Sequence, residues 1–466
     1  MKKLLLVILV TLKALVSAQA DEKPNVLFLM VDDLNDYISV LKDYPGVKTP
    51  NLDKFSKSAM FFTQAYCNGV ACLPSRSSLL SGMAPNQIGC YENKQPAKFP
   101  KEVSFLPSQF QANGYATYGT GKIFHRGTDN DDQWEHYAGK YSLGPKPHKR
   151  NIPTEFGLPG LFDYGVWKGS DDDFPDTINA DIVIDWLNQE HDKPFFIAYG
   201  IHRPHNPWTA PKRFFDMYPL ESLVIPEVPA DDMDDLPPSA VLMAHTVNKV
   251  YSKDGVREFM RSEHYKKTVQ AYLACISFMD YNLGRVLDAL DESPFAENTI
   301  ISLVADHGFH MGEKEHFAKF GIWEQTTHIL YAWRVPGLTP ENGSVCERTV
   351  SLADLYPTYI DLCRLTPPPQ QKLMHGKSIR SLLGNPQASW NRPVVSTYGF
   401  NNHSVRDERW RYSRYDNGDE ELYDHAKDPK EWTNLANVPE FAPVKARLAE
   451  WLPSTNVEPV GKGGKK

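Results

Sequence analysis

The sequence predicts an α/β protein, with a large mixed, mostly parallel sheet sandwiched by helices and a small α+β subdomain at the C-terminal end. Two observations carry this. Continuous apolar runs of strand length at residues 25–30, 194–199 and 298–305 alternate with helical stretches, and such runs belong to strands buried on both faces. Around residues 381–393 the composition turns to Gly, Pro, Asn and Trp, and only short strand candidates follow.

In chain order, residues 1–20 read as a secretory signal peptide. Lys2 and Lys3 precede an apolar run, interrupted by Lys13, and Ala18-Gln19-Ala20 is a small-residue cleavage site. The run is too short to span a bilayer, no cysteine directly follows the cleavage site, and no later segment reads as a transmembrane helix. Export without a membrane anchor is expected, to the periplasm or the medium. The first strand, 25–30, runs into Val31-Asp32-Asp33. Thr49 and Pro50 read as the N-cap and first position of a helix. Residues 61–65 form a short strand before the loop that carries Cys72, and 75–81 form a helix closed by Gly82. A strand at 116–119 leads to Lys122 and His125. Residues 129–175 and 219–238 are proline-rich and read as long loops over a site.

A helix at 178–190 precedes the strand 194–199, which ends in His202-Arg203-Pro204-His205. The stretch 264–290 has helical periodicity, with Tyr272, Ile276, Met279, Leu283 and Leu287 on one side. The strand 298–305 ends in Asp306-His307-Gly308. A strand at 331–335 and a helix at 352–362 complete a catalytic domain, residues 21–385. Residues 386–466 form the subdomain, with short strands at 394–398, 410–415 and 422–423, a helix at 443–451 and a disordered tail from Val460.

The chain has 466 residues, 41% hydrophobic and 23% charged, as expected of a globular protein. A net charge of −8 argues against a nucleic-acid binder, which needs a basic excess to neutralise phosphates, but leaves room for a local basic pocket. Cys67, Cys72, Cys90, Cys275, Cys346 and Cys363 are an even set, compatible with three disulfides in an exported protein; their spacing matches no zinc pattern.

Polar clusters follow four separate strands: Asp32-Asp33, Lys122 with His125, His202 with His205, and Asp306-His307. Each alone reads as well as a cap, a turn or a packing histidine. Together they point to one site, because ligand groups gather beyond the carboxyl ends of strands in open α/β sheets. Asp32, Asp33 and Asp306 suit a hard cation such as Ca²⁺, which takes several oxygen ligands. His307 is an unusual calcium partner and ranks below the aspartates.

Cys72-Leu73-Pro74-Ser75-Arg76 resembles the signature of type I sulfatases, in the alkaline-phosphatase-like superfamily. Val31-Asp32-Asp33, the segment from Gly121 to His125, His202-Arg203-Pro204-His205 and the segment from Asp306 to Lys319 extend the resemblance over most of the chain. The second and third of these are most similar to the iduronate-2-sulfatase branch. The resemblance implies that Cys72 is oxidised to formylglycine (3-oxoalanine) by a formylglycine-generating or anaerobic sulfatase-maturating enzyme, which leaves five cysteines and at least one of them free. It implies Ca²⁺ on Asp32, Asp33 and Asp306, with His307 nearby and the Cys72-derived group as a further ligand. His202 is then the acid for the leaving oxygen and His125 the base. Arg76, Lys122 and Lys319 neutralise sulfate and the aldehyde hydrate, whereas Arg203 keeps the reading of a solvated charge. His205 and His403 are candidate substrate contacts or packing histidines. His310 and His316 share that ambiguity, as do Trp134, Trp167 and Trp323 between sugar stacking and the core.

The expected function is hydrolysis of a sulfate ester on a sulfated polysaccharide or oligosaccharide, of iduronate-2-sulfate type in a glycosaminoglycan or ulvan. The rivals are a phosphatase or phosphonate monoester hydrolase of the same superfamily and a non-catalytic polysaccharide-binding protein.

Overall fold

A computed structural model describes residues 23–125, 131–139, 142–245 and 253–459. The expected signal peptide, the tail from Val460 and residues 129–130 and 140–141 of the first long loop lie outside the described residues.

Strands β1 (Asn25–Val31), β2 (Met60–Phe62) and β3 (Ala65–Tyr66) open the fold. Strands β4 (Ala116–Gly121), β5 (His136–Ala138), β6 (Tyr164–Trp167), β7 (Phe195–Ile201) and β8 (Trp208–Pro211) follow. Next come β9 (Thr299–Ala305), β10 (Tyr331–Arg334), β11 (Ser344–Cys346) and β12 (Val350–Ser351). The last four are β13 (Val394–Thr397), β14 (His403–Arg406), β15 (Trp410–Arg414) and β16 (Glu420–Asp424). Eight strands form the central sheet in the order β11-β2-β10-β9-β1-β7-β4-β5. Only β10 runs antiparallel to its neighbours.

The apolar runs form the centre of this sheet, and β1, β7 and β9 are buried along their whole length. Alternation sends their side chains to two covered faces. Phe28 and Phe196 meet Phe110 and Tyr359, from the helices Leu106–Ala112 and Leu355–Leu362. Tyr199 points the other way, and its hydroxyl donates to Asp176 O (2.7 Å) in the helix Pro175–Leu187. That helix packs on the helix Glu263–Glu292, whose predicted apolar side is buried.

Local details depart from expectation for identifiable reasons. The cysteine helix spans Cys72–Ser81 rather than starting at 75, because Pro74 in the first turn needs no N–H and is tolerated there. Gly82 does close it, at φ 75°. Thr49 precedes the helix Pro50–Ser56, but its hydroxyl accepts from Ser39 N–H instead of capping. Asp280 takes over, accepting from the N–H groups of Asn51 (3.0 Å) and Leu52 (2.8 Å). The first long loop holds two short strands, β5 and β6, the latter paired with β8 apart from the main sheet.

Strands β13 to β16 form an antiparallel sheet in sequence order, including β14, which the sequence reading missed. The helix Ala442–Ala449 covers it, and Leu448 joins Val405, Tyr412 and Leu422 in one buried cluster. Its edge strand touches the cysteine loop: Thr397 N–H donates to Asn68 O (2.9 Å) and Val70 N–H to Thr397 O (3.3 Å). All six cysteines are buried and unpaired. No helix among the described residues is long and apolar enough to cross a membrane.

Candidate active site

Strands β9, β1, β7 and β4 are parallel neighbours, and each predicted cluster follows directly on one of them. Val31 pairs with Ala305 on one side and Ile201 on the other, so Asp32 leaves the sheet between Asp306 and His202. The ladder runs one step further: Asp32 N–H donates to Ile201 O, Asp306 N–H to Val31 O and Lys122 N–H to Gly200 O, at 2.9–3.1 Å. The close approach needs glycine at 121 and 200, since a Cβ on either would overlap backbone of the other strand's exit. Asp33 bends away in the left-handed region, φ 57°, which aspartate enters more readily than most residues. Tyr272 fixes the bend: its hydroxyl donates to Asp33 O (2.8 Å) and accepts from Asn35 N–H (3.1 Å).

Cys72, the first residue of its helix, is fully buried. Its Sγ lies 2.9 Å from Lys319 Nζ, 3.3 Å from Lys122 Nζ, 3.4 Å from His307 Nε2 and 3.5 Å from Asp32 Oδ1. Lys122 Nζ also donates to Asp32 Oδ2 (2.5 Å) and Lys319 Nζ to Asp33 Oδ1 (2.6 Å). Arg76, one turn along the helix, is committed differently. Its Nε donates to Asp306 Oδ2 (2.8 Å), Nη2 to Asp32 Oδ1 (3.1 Å) and Nη1 to the carbonyls of Lys122 and Ile123. The two lysines therefore face the sulfur, while Arg76 braces two carboxylates and the loop that bears Lys122.

Burial opposes charge on every member, and the cations decide the outcome. Against burial, Lys122 and Arg76 hold Asp32 well below the ordinary carboxylate range. Burial and the neighbouring Asp32 and Cys72 push Asp33 up to about 7, against the pull of Lys319. Burial and Asp32 oppose ionisation of Cys72, but Lys122, Lys319 and His307 hold the thiol well below its usual range. Burial lowers and Asp306 and Cys72 raise the His307 pKa, to about 9 on balance. His307 Nδ1 donates to Gly308 O (3.0 Å), which aims Nε2 at Cys72 and places it 3.6 Å from both Asp33 Oδ1 and Asp306 Oδ2.

The rings of His202 and His205 meet tilted by 40°, with 4.8 Å between their centroids. His202 Nδ1 lies 3.8 Å from Asp32 Oδ2, and His205 Nε2 lies 3.7 Å from Asp33 Oδ2. Burial and the neighbouring His205 push the His202 pKa well down, and burial with Lys319 pushes that of His205 down to about 3. Asp176, which the sequence reading did not single out, holds their loop by accepting from the N–H groups of His202 (2.7 Å) and Arg203 (2.9 Å). It falls between the long loop and the helix expected at 178–190, where nothing in the pattern marked it. His125 lies on the Lys122 loop and is half-buried.

Other candidates land elsewhere. Arg203 is buried rather than solvated, bonded to Thr209 O (3.0 Å), Thr209 Oγ1 and His205 O. His310 and His316 are fully buried beside Trp323. Trp323 donates to Glu421 Oε2 (2.8 Å), Trp134 stacks on Phe196, and Trp167 donates to Asp173 Oδ2 (2.8 Å). His403 sits in β14 with Nδ1 2.9 Å from Thr397 Oγ1, and lines a separate cavity of about 400 Å³ with Asn401, Arg414 and Asn456.

The donor set fits a hard cation. Ligand atoms of Asp32, Cys72, Asp306 and His307, and of Asp32, Asp33, Cys72 and His205, form two groups whose members all lie within 4.8 Å of one another. Asp33 Oδ2 is buried without a hydrogen-bond partner, and a carboxylate oxygen left so pays for desolvation unless a cation meets it.

A side chain of nucleophilic chemistry between two ammonium groups, with three carboxylates at parallel strand ends, marks an α/β enzyme that handles anionic esters. The sulfatase family model matches residues 24–365, and a second, the C-terminal part of N-sulphoglucosamine sulphohydrolase, matches 312–458. The chain belongs to the sulfatase family and is a sulfuric ester hydrolase. It is similar to a sulfatase of Formosa agariphila, 37% identical over 93% of this chain and 87% of that protein. It is also similar to human iduronate 2-sulfatase, 30% identical over 74% of this chain and 70% of that one. The phosphonate monoester hydrolase of Agrobacterium radiobacter shares the fold, with a TM-score of 0.75 and 22% identity over 92% of this chain and 94% of that one.

Proposed function

We propose that this chain is an exported sulfatase that removes sulfate from a sulfated polysaccharide or oligosaccharide, taking the 2-sulfate of an iduronate-type unit in a glycosaminoglycan or ulvan. The observation that carries the reading is the pair of lysines on Cys72 Sγ, at the carboxyl ends of the strands, in a chain of this family. The iduronate 2-sulfatase relative supports the substrate class, and the basic, apolar, small-residue pattern of residues 1–20 supports export. Residues 21–385 serve as the catalytic domain and 386–466 as the C-terminal subdomain in this reading.

Cys72 Sγ stands where the oxygens of formylglycine sit after a maturating enzyme has acted, and the hydrated aldehyde supplies the hydroxyl that attacks sulfur. Asp32, Asp33 and Asp306, with His307 beside them, would hold Ca²⁺, which when bound would supply positive charge next to the sulfate and the residue-72 hydroxyl. Lys122 and Lys319 hold the residue-72 group and the sulfate oxygens through Nζ. Arg76 keeps Asp32 and Asp306 oriented. His202, pinned by Asp176, is neutral in the free site; the negative charge of a bound sulfate ester beside it favours its protonated form, which gives a proton to the departing sugar oxygen. His125 removes a proton from the residue-72 hydroxyl that remains, so that the aldehyde C=O re-forms as the carbon–oxygen bond to sulfate breaks, and sulfate leaves.

The test is sulfate release by the matured protein from defined sulfated oligosaccharides, with aryl sulfate and aryl phosphate compared in parallel. Release from 2-sulfated uronates is the expected result. A preference for aryl phosphate overturns the class, and turnover confined to other sulfate positions overturns the substrate.

A further inference from the structure

We propose that an arginine-lined cavity in the C-terminal part of the chain is a second binding site for sulfated glycan, apart from the Cys72 centre. The proposal rests on the sulfated-carbohydrate reading above. The cavity, about 330 Å³, lies where the β14–β15 turn meets the segment before β13 and the helix Ala442–Ala449. None of its lining residues belongs to the Cys72 cluster. Arg348, Arg392, Arg409 and Arg447 line it, against the carboxylates of Asp407 and Glu408. In a chain of net charge −8, four guanidiniums around one cavity depart from the average surface.

Three of the four arginines are held in place but not used up, while Arg392 gives Nη1 to Asp354 Oδ1 (3.1 Å) and Nη2 to His375 O (3.2 Å) and braces the wall. Arg409 lies over the Trp410 ring at 4.8 Å and Arg392 over Trp390 at 5.7 Å, stacking that fixes guanidinium planes. Arg409 gives Nε and Nη2 to Asp424 (2.7 and 2.6 Å), which leaves Nη1. Arg447 gives only Nη2, to Asp407 (2.7 Å), and Arg348 only Nη1, to Glu408 (3.0 and 3.3 Å). The remaining N–H groups of these three have no protein acceptor among the described residues. The side chains of Arg409 and Arg447 are each 51% exposed.

Exposed ion pairs of this kind are weak and exchange readily for another anion. A sulfate ester presents a fan of charged oxygens, which guanidinium binds through two parallel N–H groups. A volume of this size admits a sugar-sized group. A polymer with a sulfate on many units, the class of substrate proposed, would gain a hold on the enzyme away from the bond being cut.

The test is affinity electrophoresis of the full matured chain through gels carrying heparin, fully desulfated and N-acetylated heparin, or single-stranded DNA. The variants are Arg348→Gln with Arg447→Gln, and Arg447→Glu alone, each checked by its melting curve; the second serves if the first fails to fold. Retardation by heparin and not by its desulfated form is expected, falling roughly tenfold in apparent affinity in the double variant. Turnover of a small aryl sulfate is expected to stay unchanged. Undiminished heparin retardation in both variants overturns the site, and so does equal, arginine-dependent retardation by DNA, which would make it a general polyanion surface. Arginine-dependent retardation in a matured protein that cleaves no sulfate ester would sink the proposed function and leave the site standing.

Discussion

Lys319 and Cys72 are 247 residues apart in the chain and 2.9 Å apart in space, ammonium against sulfur. The same Nζ holds Asp33 Oδ1, so one cation joins the proposed nucleophile to a carboxylate of the candidate metal site. Replacing Lys319 with Ala is expected to lower kcat/KM on an aryl sulfate by about 10²–10³-fold, the usual loss for one preorganised donor. Steady-state kinetics on protein confirmed as folded by circular dichroism checks it, and a loss below tenfold would remove Lys319 from the chemistry.

Cys72 itself has a mass signature. The peptide carrying it from active protein is expected to be lighter than the encoded one by the difference between a thiol-bearing carbon and an aldehyde. Cys72→Ala is expected to lose at least about 10⁴-fold in kcat. An unmodified peptide from fully active protein would defeat the formylglycine route.

The role given to His202 depends on the leaving group. His202→Ala is expected to cost about 10²–10⁴-fold on a sugar sulfate, whose alkoxide needs a proton, and far less on a nitrophenyl sulfate. Equal losses on both would assign His202 to binding instead.

Metal removal gives a stability readout independent of turnover. Calcium at about 100 times its Kd is expected to stabilise the fold by about 2.7 kcal/mol, visible as a raised Tm that a chelator reverses. Asp33→Asn should abolish the calcium-dependent part of that rise. A Tm indifferent to calcium in wild-type protein would argue against the site.

Far from the cysteine, Glu431 links β15 to the helix Glu324–Thr327. Arg411 Nε donates to its Oε1 (2.5 Å), and its Oε2 accepts from Glu324 N–H (2.9 Å). Burial raises its pKa, but Arg411 and His425 bring it down from 4.5 to about 2. A carboxylate whose folded pKa is depressed adds stability that is complete above its unfolded pKa and is lost as pH falls through the folded one. The window is pH 4.5 to about 2, and the contribution is on the order of 3 kcal/mol. Glu431→Gln is expected to lower Tm at neutral pH and flatten its fall across that window, as followed by calorimetry.

What the sequence showed and what it hid follow from reach along the chain. Asn25 to Val31 reads as a strand because burial on both faces removes every polar residue, and the first polar pair after it, Asp32 and Asp33, marks the end where ligands gather. Lys122 and Asp306 were found in the same way, and Cys72 through the motif around it. Supports supplied from a distance were not legible. Asp280 caps a helix 229 residues away, and Tyr272 holds the Asp33 bend from the middle of a helix whose periodicity only marked it as core. Strand β14, His403 to Arg406, was missed because only Val405 within it is aliphatic, so its pattern is too weak to stand out.

The burial of Cys72 at the head of its helix has a consequence for how the enzyme is produced. No solvent reaches its sulfur once the chain has folded, so a maturating enzyme of the kind proposed would have to act on the extended chain. Folding and oxidation would then compete for each newly made molecule. A chain that folded first would be closed to modification until it unfolded. On the proposed route the active fraction of a preparation would be set by the two competing rates, once per molecule, and slower folding would raise it even where it lowers the final stability.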